Sequence, residues 1–268
     1  MVHPGCVTPR CVTSGAGTRL AKRNQLSLRE GSVAELTAVI QAGGRGTRLS
    51  PYSTVLPKAL MPIDEQTVID KLLDMFSEAG VKRVFITVSR FGPLIRSYCG
   101  DGSRWGLEIE YVTEDEPLGT IGPLNALRDR LVEPFFVSNS DVYSDVMLGD
   151  VVVEHERSGA PLTVVVTHQD VKIAYGVLDH ADGRVTTFRE KPTEQFSVST
   201  GIYLMDPSIF EHIPPAGAFN FDDLMRVMLE RDAPVHVYEH RGVWVDIGRI
   251  EDLRKAQERA ASSLPAAE

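Results

Sequence analysis

The chain has 268 residues, with 28 Lys and Arg against 37 Asp and Glu, a formal charge of −9; 43% of residues are hydrophobic and 24% charged. These are ordinary globular proportions, enough for a full core. They exclude a membrane-spanning chain, since no stretch approaches the roughly 18 unbroken apolar residues a bilayer requires. Cys6, Cys11 and Cys99 are odd in number and lack partner Cys/His pairs, which excludes a disulfide framework or structural zinc site and suits a reducing cytoplasm.

Residues 1–34 hold Arg10, Arg19, Lys22, Arg23 and Arg29 against Glu30, a net of +4 that leaves −13 for the rest. This segment is rich in Gly, Pro, Ser and Thr without sustained periodicity, and reads as a disordered extension. Its early Pro and Gly count against an amphipathic transit peptide, and no apolar run marks a secretory signal. The acidic remainder repels nucleic acid at long range, so any phosphate it handles must meet a local basic site or a divalent metal.

From Leu36 onward, short apolar runs alternate with helical segments. Leu36 to Gln41, Val84 to Val88, Leu107 to Val112 and Pro134 to Ser138 read as strands. Between the first two, Thr67 to Ala79 places Val68, Leu72, Leu73, Met75 and Phe76 near one helical face, and Gly80 ends it. The alternation predicts βαβ units in a largely parallel sheet, with ligands at the carboxyl ends of its strands. After about residue 160 the pattern turns β-rich: Leu162 to Thr167, Tyr175 to Leu178, Val185 to Arg189 and Gly201 to Met205 predict an added antiparallel lobe. A strand at Val235 to Tyr238 and helices at Phe221 to Glu230 and Ile250 to Ala261 complete the chain. Leu253 and Ala256 give the last helix an inward face. No linker interrupts residues 35–268, which are read as one domain.

The strongest local signal is LTAVIQAGGRGTRLSPYSTVLPKALMPI, Leu36 to Ile63. Here a strand runs into Gly43, Gly44 and Gly46, with Arg45, Arg48 and Lys58 beside them. Glycines after a strand let backbone N–H groups converge on an anion, and Arg48 and Lys58 supply the missing positive charge. It is not a Walker loop, lacking Gly-Lys-Ser/Thr after the spacer, nor a dinucleotide fingerprint, having Leu49 where a third Gly belongs. GAGTRL at 15–20 echoes the loop, but no strand precedes it and no Pro-Lys follows.

This segment resembles the signature of the sugar-1-phosphate nucleotidylyltransferases. The similarity continues through EDEPLGTIGPL at 114–124, FFVSNSDVYSD at 135–145, FREKP at 188–192, STGIYLM at 199–205 and WVDIGRIEDLRKA at 244–256. EPLGTIGPL and FFVSNSDV look most like mannose-1-phosphate and heptose-1-phosphate guanylyltransferases, and Ser140 before Asp141 is similar to that branch. The resemblance implies an α/β fold: a Rossmann-like three-layer sandwich with a mostly parallel mixed sheet and a small antiparallel sugar-binding lobe.

It also implies roles. Arg48 and Lys58 would be catalytic. Gly43, Gly44, Gly46, Thr47, Glu116, Gly119 and Thr120 would bind the nucleotide, with residues 116–120 reading the base. Thr120 is equally readable as the cap of a helix beginning near Ile121. Asp141 and Asp246 align with metal-binding aspartates and would hold Mg²⁺, although each alone could be a turn or cap residue. Gly176, Glu190, Lys191, Thr200 and Gly201 would meet the sugar phosphate; Glu190 and Lys191 alone would read as a surface ion pair. Ser199-Thr200-Gly201 departs from the usual Asn-Ala-Gly or Asn-Thr-Gly, which leaves the sugar open. No HExxH or activated Ser or Cys suggests covalent catalysis.

The implied reaction is Mg²⁺-dependent nucleotidyl transfer from an NTP, GTP favoured, to a mannose- or heptose-type sugar 1-phosphate, without nucleic acid or membrane partners. UTP or dTTP use and a non-catalytic nucleotide-sugar-binding subunit are the alternatives. A dinucleotide oxidoreductase lacks its third Gly, and a glycosyltransferase lacks Asp-x-Asp at Asp141-Val142-Tyr143. Homo-oligomerisation is left open.

Overall fold

The computed structural model describes residues 36–44 and 49–263. The expected extension 1–34 and the 15–20 echo lie outside them. Parallel strands β1 (Thr37–Ala42), β2 (Arg83–Val88), β3 (Glu108–Thr113) and β4 (Phe135–Asn139) form half of a seven-stranded sheet. The other half comprises β6 (Leu162–Lys172), β9 (Thr193–Met205) and β10 (Val235–Glu239), giving the order β10-β6-β9-β4-β1-β2-β3. Strand β9 runs antiparallel to both β4 and β6, and the other six share one direction.

Alternation along the strands builds two cores. Ala38, Ile40, Phe136, Ile202 and Leu204 face α1 (Val68–Glu78), α2 (Gly92–Cys99) and α3 (Leu148–Ser158). Their neighbours Val39, Phe135, Val137, Tyr203 and Met205 face Leu124, Phe210 and α4 (Phe221–Glu230) on the opposite side. This is the expected three-layer arrangement. Because both faces are covered, the central strands read as continuous apolar runs. Helix α1 begins at Thr67, whose hydroxyl and backbone N–H are tied to Asp70 in a capping box.

Two helices go beyond the sequence reading. The start of α2, Gly92-Pro93, has the composition of a turn, yet Pro belongs in a helix's first turn. Val151, Val152 and Val153 give α3 a strand-like composition, and only Leu148, Val151 and His155 are buried on it.

The antiparallel lobe has two parts. Strands β6 and β9 continue beyond the main sheet as a long pair, and β7 (Val177–Ala181) and β8 (Arg184–Arg189) form a hairpin. A short ribbon joins β5 (Val142–Ser144) to β11 (Trp244–Asp246). Helix α5 (Ile250–Ser263) follows, burying Leu253, Ala256 and Ala260 against Leu49, Met61, Ile63 and Val68, so its predicted inward face packs as expected. Among the described residues no helix is long and apolar enough to cross a membrane.

Candidate active site

A cleft of about 1380 Å³ opens at the carboxyl ends of β1, β2, β3 and β4. Each strand delivers its next residues there: Gly43 and Gly44 after β1, Ser89 to Phe91 after β2, Glu114 after β3, and Ser140 and Asp141 after β4. Of the sequence-predicted residues, Gly43, Gly44, Lys58, Glu116, Gly119, Thr120 and Asp141 line this cleft. Gly46, Thr47 and Arg48 lie outside the described residues.

Lys58 opens a short 3-10 turn after Pro57 and places its Nζ 2.8 Å from Asp141 Oδ2, both side chains more than four-fifths buried. This ion pair joins the loop after β1 to the end of β4. Asp246 stands beside it through the backbone: β11 pairs with β5 so that Asp246 opposes Val142, and Ile247 N–H donates to Asp141 O at 2.8 Å. Among the described residues no group of three or more His, Cys, Asp and Glu side chains is arranged around a metal position. Asp141 and Asp246, brought close through the backbone, are the carboxylates that could hold a divalent ion. Two carboxylates suit Mg²⁺, which takes one or two from a protein and completes its octahedron with phosphate oxygens and water.

The 116–120 loop is clamped from outside. Leu118 O accepts from Phe219 N–H, and Phe219 O accepts from both Ile121 and Gly122 N–H, each at 2.9 Å. Thr120 N–H donates to Asn220 Oδ1 at 3.3 Å, and Thr120 Oγ1 accepts from Phe221 N–H at 2.9 Å. The Thr120 hydroxyl thus does not cap a helix starting at Ile121; it serves the first turn of α4, a hundred residues away in sequence. At Gly119 the backbone is left-handed, φ 80°, and a Cβ would stand 2.6 Å from Phe219 O, so the clamp itself demands glycine. Asn220→Ala should weaken nucleotide binding about three- to tenfold by releasing the loop. Calorimetry would read that loss, and a thermal melt would read roughly 1 kcal/mol for the weakened start of α4.

Sequence reasoning passed over several cleft residues. Gln41 Nε2 donates to Thr120 O, and its buried Oε1 finds no partner among the described residues. Glu114 presses its carboxylate against Gly43, leaving no space there for a side chain. Burial pushes the Glu114 carboxyl above the ordinary glutamate range, and a hydrogen bond from the Leu118 backbone only partly opposes this. The usable signal was an acidic side chain directly following an apolar strand. It is present at Glu114, whereas the family resemblance points to Glu116 in the same loop.

The predicted sugar-binding residues divide. Gly201 adjoins the cleft: at φ 79° it packs so closely on Asn139 that a Cβ would lie 2.6 Å from Asn139 Nδ2. Thr200 instead turns inward, 2% exposed, donating its hydroxyl to Val165 O at 2.9 Å while its own carbonyl accepts from Trp244 Nε1. Its hydroxyl therefore supports the β6–β9 junction, where the register shifts between Val164 and Val166. Thr200→Val should cost about 1–3 kcal/mol in urea denaturation by removing the donor from a buried carbonyl.

Gly176, Glu190 and Lys191 lie together on the hairpin, away from the cleft lining. A Cβ at Gly176 would sit 3.2 Å from Glu190 Oε2, and Lys191 Nζ lies 3.7 Å from Glu190 Oε1. Lys191 adopts a left-handed backbone, φ 45°, at the turn from β8 into β9. Both charged side chains are more than half exposed.

A family model described as Nucleotidyl transferase matches residues 37–263. The chain belongs to this family. Among related nucleotidyl transferases, mannose-1-phosphate guanyltransferase from Schizosaccharomyces pombe is 32% identical over 226 residues, covering 81% of this chain and 62% of that protein. UTP–glucose-1-phosphate uridylyltransferase from Synechocystis is 30% identical over 243 residues, covering 82% and 62% respectively. The chain thus spans about three-fifths of these relatives' length. The crystal structure of HddC from Yersinia pseudotuberculosis shares the fold, with a TM-score of 0.67 and 24% identity over 84% of this chain and 99% of that one.

Proposed function

We propose that the protein transfers a nucleotidyl group from an NTP to a sugar 1-phosphate, releasing pyrophosphate, with GTP and a mannose- or heptose-type sugar phosphate as the favoured pair. The Lys58–Asp141 pair beside Gly43 and Gly44, at the mouth of a parallel sheet, carries this reading. A phosphate oxygen of the sugar 1-phosphate attacks the α-phosphorus in line; the new P–O bond forms as the bond to pyrophosphate breaks, and pyrophosphate leaves with the electron pair. The nucleophile is already ionised at neutral pH, so no strong general base is needed.

What the protein supplies is placement and charge. Gly43 and Gly44 bring backbone close to the triphosphate, and Lys58 is set to move from Asp141 to a phosphate oxygen. Mg²⁺, held by Asp141 and Asp246, would neutralise triphosphate oxygens. The exposed Glu190 and Lys191 suit the hydroxyls and phosphate of the sugar.

Glu114 supports guanine. A carboxylate only accepts hydrogen bonds, and guanine offers N1–H and N2–H₂ on one edge, whereas uracil and thymine offer a single N–H between two carbonyls. Independently of Glu114, GTP is supported by the guanylyltransferases among the relatives and by the HddC structure complexed with GMP-PN.

The test is pyrophosphate release with Mg²⁺, crossing GTP, UTP, dTTP, ATP and CTP with mannose, glucose and heptose 1-phosphates. Release is expected only with both substrates present, and fastest with GTP. Silence across the matrix, with nucleotide sugars still bound, would replace the proposal with a non-catalytic binding subunit.

A further inference from the structure

Lys58 and Arg90 are the described cationic side chains that line the cleft. Lys58 is committed to Asp141. Arg90 has no ion pair among the described residues, although Glu114, Asp115, Glu116 and Asp141 line the same cleft; its guanidinium lies 5.1 Å from the centre of the Phe91 ring. An exposed arginine resting on a neighbouring aromatic ring is held in place without its donors being used.

The position of Arg90 relative to Glu114 is fixed by backbone. Glu114 N–H donates to Val88 O at 2.8 Å, so the residues leaving β2 and β3 emerge side by side. Ser89 Oγ donates to Gly43 O at 2.8 Å, which holds the Arg90 segment against the glycine loop. Asp141 leaves β4, on the other side of β1 from β2 and β3, and holds Lys58 there. Arg90 therefore belongs to the Glu114 end of the cleft rather than the Lys58–Asp141 end.

Guanine carries complementary groups on adjoining edges. Its N1–H and N2–H₂ donors suit a carboxylate, and its O6 and N7 acceptors suit the two-pronged guanidinium. Adenine puts an N6–H₂ donor where guanine has O6, which an arginine opposes, and pyrimidines lack N7 altogether. Resting on the guanine reading of Glu114, we propose that Arg90 is a specificity-determining residue that donates to O6 and N7 of the base whose adjoining N1–H and N2–H₂ edge Glu114 holds.

Calorimetric binding of GTP, 7-deaza-GTP and ITP to the full chain and to Arg90→Ala and Arg90→Lys tests this. 7-Deaza-GTP lacks only the N7 acceptor, and ITP lacks only the N2 amino group. The unsubstituted protein should bind 7-deaza-GTP about tenfold more weakly than GTP. Arg90→Ala should bind the two equally, about ten- to a hundredfold more weakly than the unsubstituted protein binds GTP, with Arg90→Lys intermediate. Its preference for GTP over ITP, which reads the Glu114 edge, should persist, and its thermal melt should match the parent's.

Equal affinity of the parent for GTP and 7-deaza-GTP overturns the assignment. So does an Arg90→Ala protein that keeps the parent's ratio between them, since the arginine would then be meeting ribose or phosphate. Those results leave the guanine reading standing if ITP is still disfavoured. Binding of UTP with no binding of GTP overturns both.

Discussion

Asp141→Asn should lower turnover by roughly a hundred- to a thousandfold, the scale seen when a preorganised electrostatic group is removed from a transition state. Asparagine keeps the shape of aspartate but not its charge. Lys58 would lose the carboxylate that holds its Nζ at 2.8 Å, and the Asp141–Asp246 pair would lose half its charge for a divalent ion. Folding should change far less. Although both side chains are largely buried, they line the cleft, where water can reach the ammonium and reduce the cost of leaving it unpaired. Single-turnover pyrophosphate release with a thermal melt separates the two effects. A variant that keeps more than a tenth of parental turnover would remove Asp141 from the proposed machinery. One that loses activity by unfolding would show it in the melt.

Glu114→Gln should shift nucleotide preference on the order of a hundredfold away from GTP and toward UTP or dTTP. The amide keeps one acceptor and gains a donor, matching a uracil N3–H and its neighbouring carbonyl and leaving one guanine N–H facing another N–H. The pH dependence follows from the raised Glu114 pKa. Only the ionised carboxylate accepts from both guanine donors, so GTP affinity should fall on acidification at a higher pH than an exposed glutamate would give. Stability has the opposite sign. A carboxyl whose folded pKa is raised holds its proton more tightly when folded, so its contribution is full at low pH and is lost as pH rises through the folded value. Calorimetric titration of GTP across mildly acidic pH should show the affinity loss in the parent and not in Glu114→Gln.

The main sheet was legible because its strands are buried on both faces. Leu36 to Gln41, Val84 to Val88 and Pro134 to Ser138 read as mostly apolar runs, interrupted only by Thr37, Gln41, Thr87 and Ser138, each within a residue or so of the observed ends. Helix α1 announced itself by a wide apolar face and by Gly80 at its end, while its Thr67–Asp70 capping box shows only in the structure. Helices α2 and α3 bury only a few residues each, so their periodicity is weak and their Gly, Pro and Val content points elsewhere.

In the site, Asp141 was legible because it closely follows a strand and Lys58 because it sits in the glycine-rich signature, but their ion pair, 83 residues apart, is visible only in the structure. Thr120, Asn220 and Thr200 are different. Their partners are Phe221, Thr120 and Val165, which no local spacing connects to them. Glu114 was visible as an acid after a strand, but its press against Gly43 and its desolvation arise only once β1 and β3 lie in one sheet.

The reversed direction of β9 bears on how the chain is made. Residues 37–139 contain four adjacent parallel strands, a unit that can begin to assemble as it leaves the ribosome. Until residue 205 emerges, however, β4 is an outer strand with unpaired backbone groups, and the interval lasts several seconds at ordinary synthesis rates. Such an apolar open edge is a template for pairing with another nascent chain. Truncations that end between residues 140 and 192 should therefore yield insoluble protein rather than a smaller folded unit, because β9 closes the sheet from its middle.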